Sequence, residues 1–264
     1  KKYELSLKDH ITLKEYCDKA NIDFLSTPYD VESAILLNNL NVKLFKVASA
    51  DIVDFQLHEY LSTTHKPTII STGMSSLNEI KMALSFYDLK KSSIILLHCV
   101  SNYPCSLSSL NLNSIKVLKN NFDLPLGFSD HSTDSSAACI AVALSSKVIE
   151  KHLTLDKKMY GPDHNASSTP EEFMKLVKDI RKTEIILGKP EKSIQEEELE
   201  MRIISRKSLY LSKNVKVNQK VKAEDFKLKR PGVGISPLDI KTIIGKCYKR
   251  DLLEGELIKK EDIC

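Results

Sequence analysis

The chain has 264 residues, 42% hydrophobic and 28% charged, enough to bury a full core in one large domain with a small one beside it. Its net charge of +4 comes mainly from a Lys-rich C-terminal third, too diffuse to mark a nucleic-acid surface, and no apolar run approaches the length of a membrane span. The opening KKYELSLKDH does not read as a signal peptide, and Cys17, Cys99, Cys105, Cys139, Cys247 and Cys264 form no CxxC pair, the pattern of reduced thiols in a cytoplasmic protein.

Taken in order, Leu13 to Ala20 predicts a helix with no strand ahead of it. Apolar runs then predict strands at 22–28, 43–49, 67–73, 93–100, 124–130 and 147–154. Helical patterns at 31–40, 53–61, 77–89, 110–119, 135–145 and 170–187 separate and follow them. Each crossover between parallel strands needs such a helix, so the alternation predicts a parallel sheet, and strands apolar throughout suit one covered on both faces. The expected fold is α/β: a (βα)8 TIM-type barrel from which the first two βα units, about 60 to 80 residues, are missing. An open doubly wound sheet is the competing reading.

The predicted barrel domain spans 1–187 and is followed by a charged, irregular linker, 188–206. A β-rich domain over 207–264 carries an internal repeat, with Asn214, Val215, Glu224 and Asp225 matching Asp251, Leu252, Glu261 and Asp262 at an offset of 37 residues. Between the repeats, Lys229 to Pro237 has the Gly and Pro spacing of a fixed loop.

The predicted strands end in small polar or ionisable residues, including Thr27, Lys46 with Ser49, Ser71, His98 followed by Ser101 and Tyr103, Ser129 with His131, and His152. Parallel strands place these groups along one C-terminal edge, where α/β barrels do their chemistry. A single histidine at a strand end is more often structural than a ligand, and His10, His58 and His65 read as solvated. His131 and His152 differ because they follow consecutive apolar runs and share their loops with Asp130, Glu150, Asp156, Asp163 and His164. Two imidazoles can hold one metal while leaving positions open for substrate oxygens, which suits Mn, Mg, Co or Fe better than a closed structural zinc.

The ordered motifs FKVASAD, IISTGM, HCVSNYP, GFSDHS, EKHLTLD, GPDH and KRPGVGIS resemble the sialic acid synthase (N-acetylneuraminate synthase) family with its C-terminal SAF, or antifreeze-like, domain. The resemblance covers essentially the whole chain. It implies a barrel transferase that condenses phosphoenolpyruvate with N-acetylmannosamine or a related sugar, releases phosphate, and uses a divalent metal, usually Mn2+, with Mg2+ or Co2+ as alternatives. By the same resemblance His131 and His152 match the metal ligands. Thr27, Lys46, Ser49, Ser71 and Ser129 match positions that bind phosphoenolpyruvate, with Ser101 near another, and Tyr103 and Asp163 match positions that contact the sugar.

Arg230 matches an SAF-domain arginine that reaches the partner subunit's active site, implying a domain-swapped homodimer. Lys46, Glu150 and Asp163 are the candidate catalytic groups: one to neutralise phosphoenolpyruvate, two to move protons and grip hydroxyls. The family's first two strands carry a glutamate and a lysine that this chain does not contain, which bears on whether it is active alone. Rival readings are a synthase of legionaminic or pseudaminic acid, an inactive carbohydrate-binding homologue, and a metal-dependent aldolase forming a Schiff base at Lys46 or Lys151.

Overall fold

Five of the six expected strands pair. In the computed structural model, which describes residues 5–264, the first compact unit extends to Gly188 and holds one parallel sheet in the order β1 (Phe45–Val47), β2 (Thr68–Ser71), β3 (Ile94–Cys99), β4 (Leu126–Asp130) and β5 (Val148–Lys151). Strand order follows chain order, so every crossover has the same sense, and the sheet curls as half of a barrel. The expected strand at 22–28 does not form. That segment runs outside regular structure, with Phe24 packed on the core but Ile22 64% and Leu25 41% exposed, so burial does not enforce a ladder beyond β1.

The helices follow the predicted alternation: α1 (Leu7–Lys19), α2 (Val31–Asn39), α3 (Phe55–Thr64), α4 (Leu77–Leu84), α5 (Ser114–Asn121), α6 (Ser136–Ala143) and α7 (Pro170–Leu187). Helix α1 begins six residues before its expected start, because Ser6 and Asp9 form a reciprocal capping box. Thr169 and Glu172 cap α7 in the same way, with Pro170 in its first turn. Phe45, Val47, Ile70, Ile94, Leu96 and Phe128 are buried against Leu37, Leu57, Leu61, Ile80, Leu84 and Ile115 from the helices, forming one continuous core. That core fixes the strands, and the strands fix what stands on their C-terminal ends.

His58 is fully buried in this layer rather than solvated. Its Nε2–H donates to the Ile52 carbonyl at 3.0 Å and its Nδ1 accepts from the Tyr87 hydroxyl at 2.8 Å, so both ring nitrogens are used inside the core. His98 is structural too: Nε2–H donates to the Leu110 carbonyl at 2.7 Å and the ring stacks on Phe128.

The second unit, Lys189–Cys264, has its own core of Leu209, Leu211, Val215, Val221, Tyr248, Leu252, Ile258 and Ile263. Strands β6 (Ser208–Leu211) and β7 (Phe226–Lys229) pair antiparallel. The 37-residue repeat is a structural pseudo-twofold. Val215 and Leu252, equivalent by that offset, exchange both backbone hydrogen bonds at 3.0 and 3.1 Å. Buried Asp225 meets Lys213 at 2.9 Å, and its equivalent Asp262 meets Arg250 at 2.8 Å. The stretch 188–206, expected to be irregular, carries a short helix, α8 (Leu199–Ser205), and the Ile203 carbonyl accepts from the Gly232 amide at 2.7 Å.

Candidate active site

The register of the ladder builds the site. Cys99, Ser129 and Glu150 lie directly across from one another on β3, β4 and β5, and Asp130 lies across from Lys151. Residues that alternate along a strand point to opposite faces, so Cys99, not His98, faces the same side as Ser129 and Glu150. Above these strand ends lies a cavity of about 620 Å³ lined by Thr27, Lys46, Ser49, Ser71, Ser101, Tyr103, Ser129, His131, Glu150, His152 and Asp163. The barrel residues named from the sequence as candidate catalytic, substrate-binding or metal-binding groups all line it. Tyr29, Met74, Cys99 and Lys151 also line it. Arg230 belongs to the second unit, exposed just after β7.

On one side of the cavity the groups suit an anion. Lys46 is 5% exposed, donates to the Val47 carbonyl at 3.0 Å and stands 3.6 Å from the Glu150 carboxylate. Burial pulls its pKa below the ordinary lysine value, and Glu150 partly restores it. Glu150 also accepts from the Ser129 hydroxyl at 2.6 Å. Ser71, 2% exposed at the end of β2, has a hydroxyl with no hydrogen-bond partner among the described residues. An orphaned buried hydroxyl in a polar cavity is a group prepared for a ligand oxygen.

On the other side lie the two imidazoles, their ring centroids 5.2 Å apart. Tyr103 covers both, at 4.1 Å from His131 and 5.3 Å from His152. The Val100 carbonyl can only accept, so its 2.8 Å hydrogen bond assigns the His131 proton to Nδ1 and leaves a lone pair on Nε2. This is the outer-shell arrangement of a metal-binding imidazole. Burial, with the neighbouring His131, lowers the pKa of His152 and favours its neutral form, whereas at His131 burial is outweighed by Cys99, the Val100 carbonyl and Glu150. No three His, Cys, Asp or Glu side chains among the described residues converge as a closed cage, so the pair fits a two-ligand site whose other positions stay open.

Beneath the histidines, a buried ion pair ties the two strands together. Lys151 Nζ lies 2.8 Å from Asp130 and also donates to the Ser132 carbonyl. Asp130 is therefore committed to Lys151 and does not face the cavity; Asp156 and His164 do not line it either. Asp163 does, from a loop held back against β5 by hydrogen bonds between Ser168 and residues His152 and Thr154, each 2.9 Å. Its backbone is left-handed, φ 67°, a conformation aspartate tolerates.

Sequence reasoning did not single out Cys99 for this site. The signal for Cys99 was strand parity: it is one residue beyond the conspicuous His98. Its thiol lies 3.9 Å from His131 Nδ1 and 3.6 Å from the Ser49 hydroxyl. Burial would raise its pKa, but His131 and Ser49 together bring it below the ordinary thiol value.

A parallel half-barrel with its polar groups gathered at the C-terminal strand edge defines an α/β barrel-type enzyme. The chain matches the NeuB family over residues 1–192 and the SAF domain over residues 206–263. It is 38% identical to the N,N'-diacetyllegionaminic acid synthase of Legionella pneumophila, across all of this chain and 75% of that one. It is 32% identical to the pseudaminic acid synthase of Campylobacter jejuni, across 96% of this chain and 74% of that protein. The crystal structure of the N-acetylneuraminic acid synthetase of Leptospira borgpetersenii, determined with citrate, superposes with a TM-score of 0.72 at 38% identity, covering 75% of this chain and 70% of that one. The chain belongs to the NeuB family. Its relatives are nonulosonic acid synthases, and it is an enzyme of that transferase class. Among its described residues no helix is long and apolar enough to cross a membrane.

Proposed function

We propose that this protein condenses phosphoenolpyruvate with N-acetylmannosamine to give N-acetylneuraminate and inorganic phosphate, in the cytoplasm. The observation that carries the reading is the division of one cavity into an anion side, with buried Lys46 and the partnerless Ser71 hydroxyl, and an imidazole side, with His131 and His152. Phosphoenolpyruvate brings about three negative charges, and a buried ammonium with hydroxyl donors stabilises them where bulk water is excluded.

His131 and His152 are the residues that would hold the divalent cation, Mn2+ in our reading, with Mg2+ or Co2+ as alternatives. When bound it supplies Lewis acidity toward the sugar carbonyl. The chain's own groups do the rest. Lys46, Ser49, Ser71, Ser101, Ser129 and Thr27 orient phosphoenolpyruvate. Tyr103 and Asp163 hold the sugar. Glu150, standing between the two sides, is the group placed to move a proton at its carboxylate. Arg230 contacts the sugar from the second unit of a partner chain in a homodimer.

A second reading, synthesis of N,N'-diacetyllegionaminic acid, is supported by the 38% identity that runs across the whole chain. The test is turnover of phosphoenolpyruvate with Mn2+ and a panel of N-acetylated amino sugars. Equal yields of phosphate and nonulosonic acid from N-acetylmannosamine are expected. A higher kcat/KM for a diacetylated sugar would replace the first reading by the second, and no condensation with any sugar would overturn both.

A further inference from the structure

The C-terminal end of β2 holds a glycine that its backbone does not require. Gly161, Gly188, Gly245 and Gly255 have positive φ, but Gly73 does not, so an alanine there is conformationally allowed. Space is what excludes a side chain. A Cβ on Gly73 would overlap the Ser101 hydroxyl outright, come within 2.8 Å of the Ser49 hydroxyl and lie 3.2 Å from the Cys99 thiol. These three groups arrive from the ends of β1 and β3, on either side of β2, and all line the cavity. The Gly73 N–H donates to Ser49 Oγ at 3.0 Å, and that hydroxyl in turn donates a long hydrogen bond, 3.6 Å, to the Cys99 sulfur, so a ligand oxyanion would take its proton only by displacing that weak contact.

We propose that Gly73 is the positioning residue of the anion subsite: lacking a side chain, it lets the Ser49 and Ser101 hydroxyls converge beside the partnerless Ser71 hydroxyl, where together they grip one oxyanion of phosphoenolpyruvate. The proposal rests on the phosphoenolpyruvate reading above. Its physical core is a difference between stability and binding. Both overlapping oxygens sit one torsion from the backbone, so a Cβ at position 73 can be accommodated by rotating them away. The fold survives that rotation, but the hydroxyls no longer point into the cavity.

The test is calorimetric titration of the full chain with phosphoenolpyruvate alone, for the parent, Gly73→Ala, Ser49→Ala/Ser101→Ala, and the triple variant. Gly73→Ala is expected to bind roughly tenfold or more weakly, the loss of one to two net hydrogen bonds, and to keep its melting temperature within a few degrees. With both hydroxyls already removed, Gly73→Ala should change affinity by less than about twofold. Parent-like affinity in Gly73→Ala would overturn the proposal. So would an undiminished tenfold loss in the triple variant, or a collapse of the fold in Gly73→Ala, since either makes the glycine a packing residue. A parent chain that takes up no phosphoenolpyruvate would instead overturn the functional reading itself, and this inference with it.

Discussion

At the residue scale, the tautomer of His131 and the orphan hydroxyl of Ser71 carry the most chemical information. The Ser71 hydroxyl makes no hydrogen bond among the described residues, so Ser71→Ala should leave thermal stability unchanged or slightly raised while weakening phosphoenolpyruvate binding several-fold, by about 0.5–1.5 kcal/mol. Calorimetry on one sample reports both. Lys46→Met keeps the buried stem but removes the charge; a loss of roughly 10- to 100-fold in phosphoenolpyruvate affinity is expected, the worth of a charge-assisted contact. Equal losses for sugar and phosphoenolpyruvate would point to damage elsewhere. His58 gives a pH prediction. Burial lowers its pKa in the folded chain, so the unfolded chain binds its proton at higher pH than the folded one does. Stability contributed by neutral His58 is thus complete above the unfolded value, near 6.5, and is lost as pH falls from there toward the folded value. Urea midpoints for the parent and His58→Gln between pH 7.5 and 5.5 should show a steeper decline in the parent.

At the element scale, the ends of β4 and β5 are the critical pair. They deliver His131 and His152, and the buried Asp130–Lys151 ion pair fixes their separation from below. Lys151→Met leaves Asp130 buried without its partner and should cost about 3–5 kcal/mol, whereas Asp130→Asn/Lys151→Met should recover much of that loss; denaturant titration checks the pair. The sheet was legible because continuous apolar runs bounded by helical periodicity admit few alternatives, and the α7 boundaries followed from Thr169, Pro170 and Gly188. What escaped has physical causes. A run such as 22–28 becomes a strand only when neighbours supply hydrogen bonds, which an apolar pattern does not guarantee. The choice between His98 and Cys99 depends on strand parity, and parity is fixed by pairing. The solvated reading of His58 failed because Tyr87 and the Ile52 carbonyl, 29 and 6 residues away, satisfy its ring inside the core.

At the scale of the whole molecule, the half-barrel gathers nine strand-end residues with Thr27 and Asp163 in one cavity, while the second unit repeats one motif twice about a pseudo-twofold. Motif spacing anticipated both, because each depends on order along the chain. The repeat rests on two equivalent ion pairs. Asp225, buried, would have its pKa raised by desolvation, but Lys213, the Lys222 amide and the Tyr248 hydroxyl together bring it below the ordinary value. Its contribution is therefore present above the unfolded carboxylate value, near 3.9, and lost as pH falls through the lower folded value.

If Arg230 serves the partner's site, mixing Arg230→Ala and His131→Ala chains should restore turnover that neither has alone, and no recovery in verified heterodimers would place Arg230 in its own subunit or outside the reaction. The central claim, that one cavity holds an anion beside a two-histidine metal site, is met most directly by diffraction at the manganese absorption edge from crystals soaked with Mn2+ and phosphoenolpyruvate. The account predicts one anomalous peak bonded to His131 Nε2 and to His152, with the phosphoenolpyruvate oxyanions against Lys46, Ser71 and Ser129. A manganese ion bound elsewhere, or phosphoenolpyruvate outside that cavity, would contradict it.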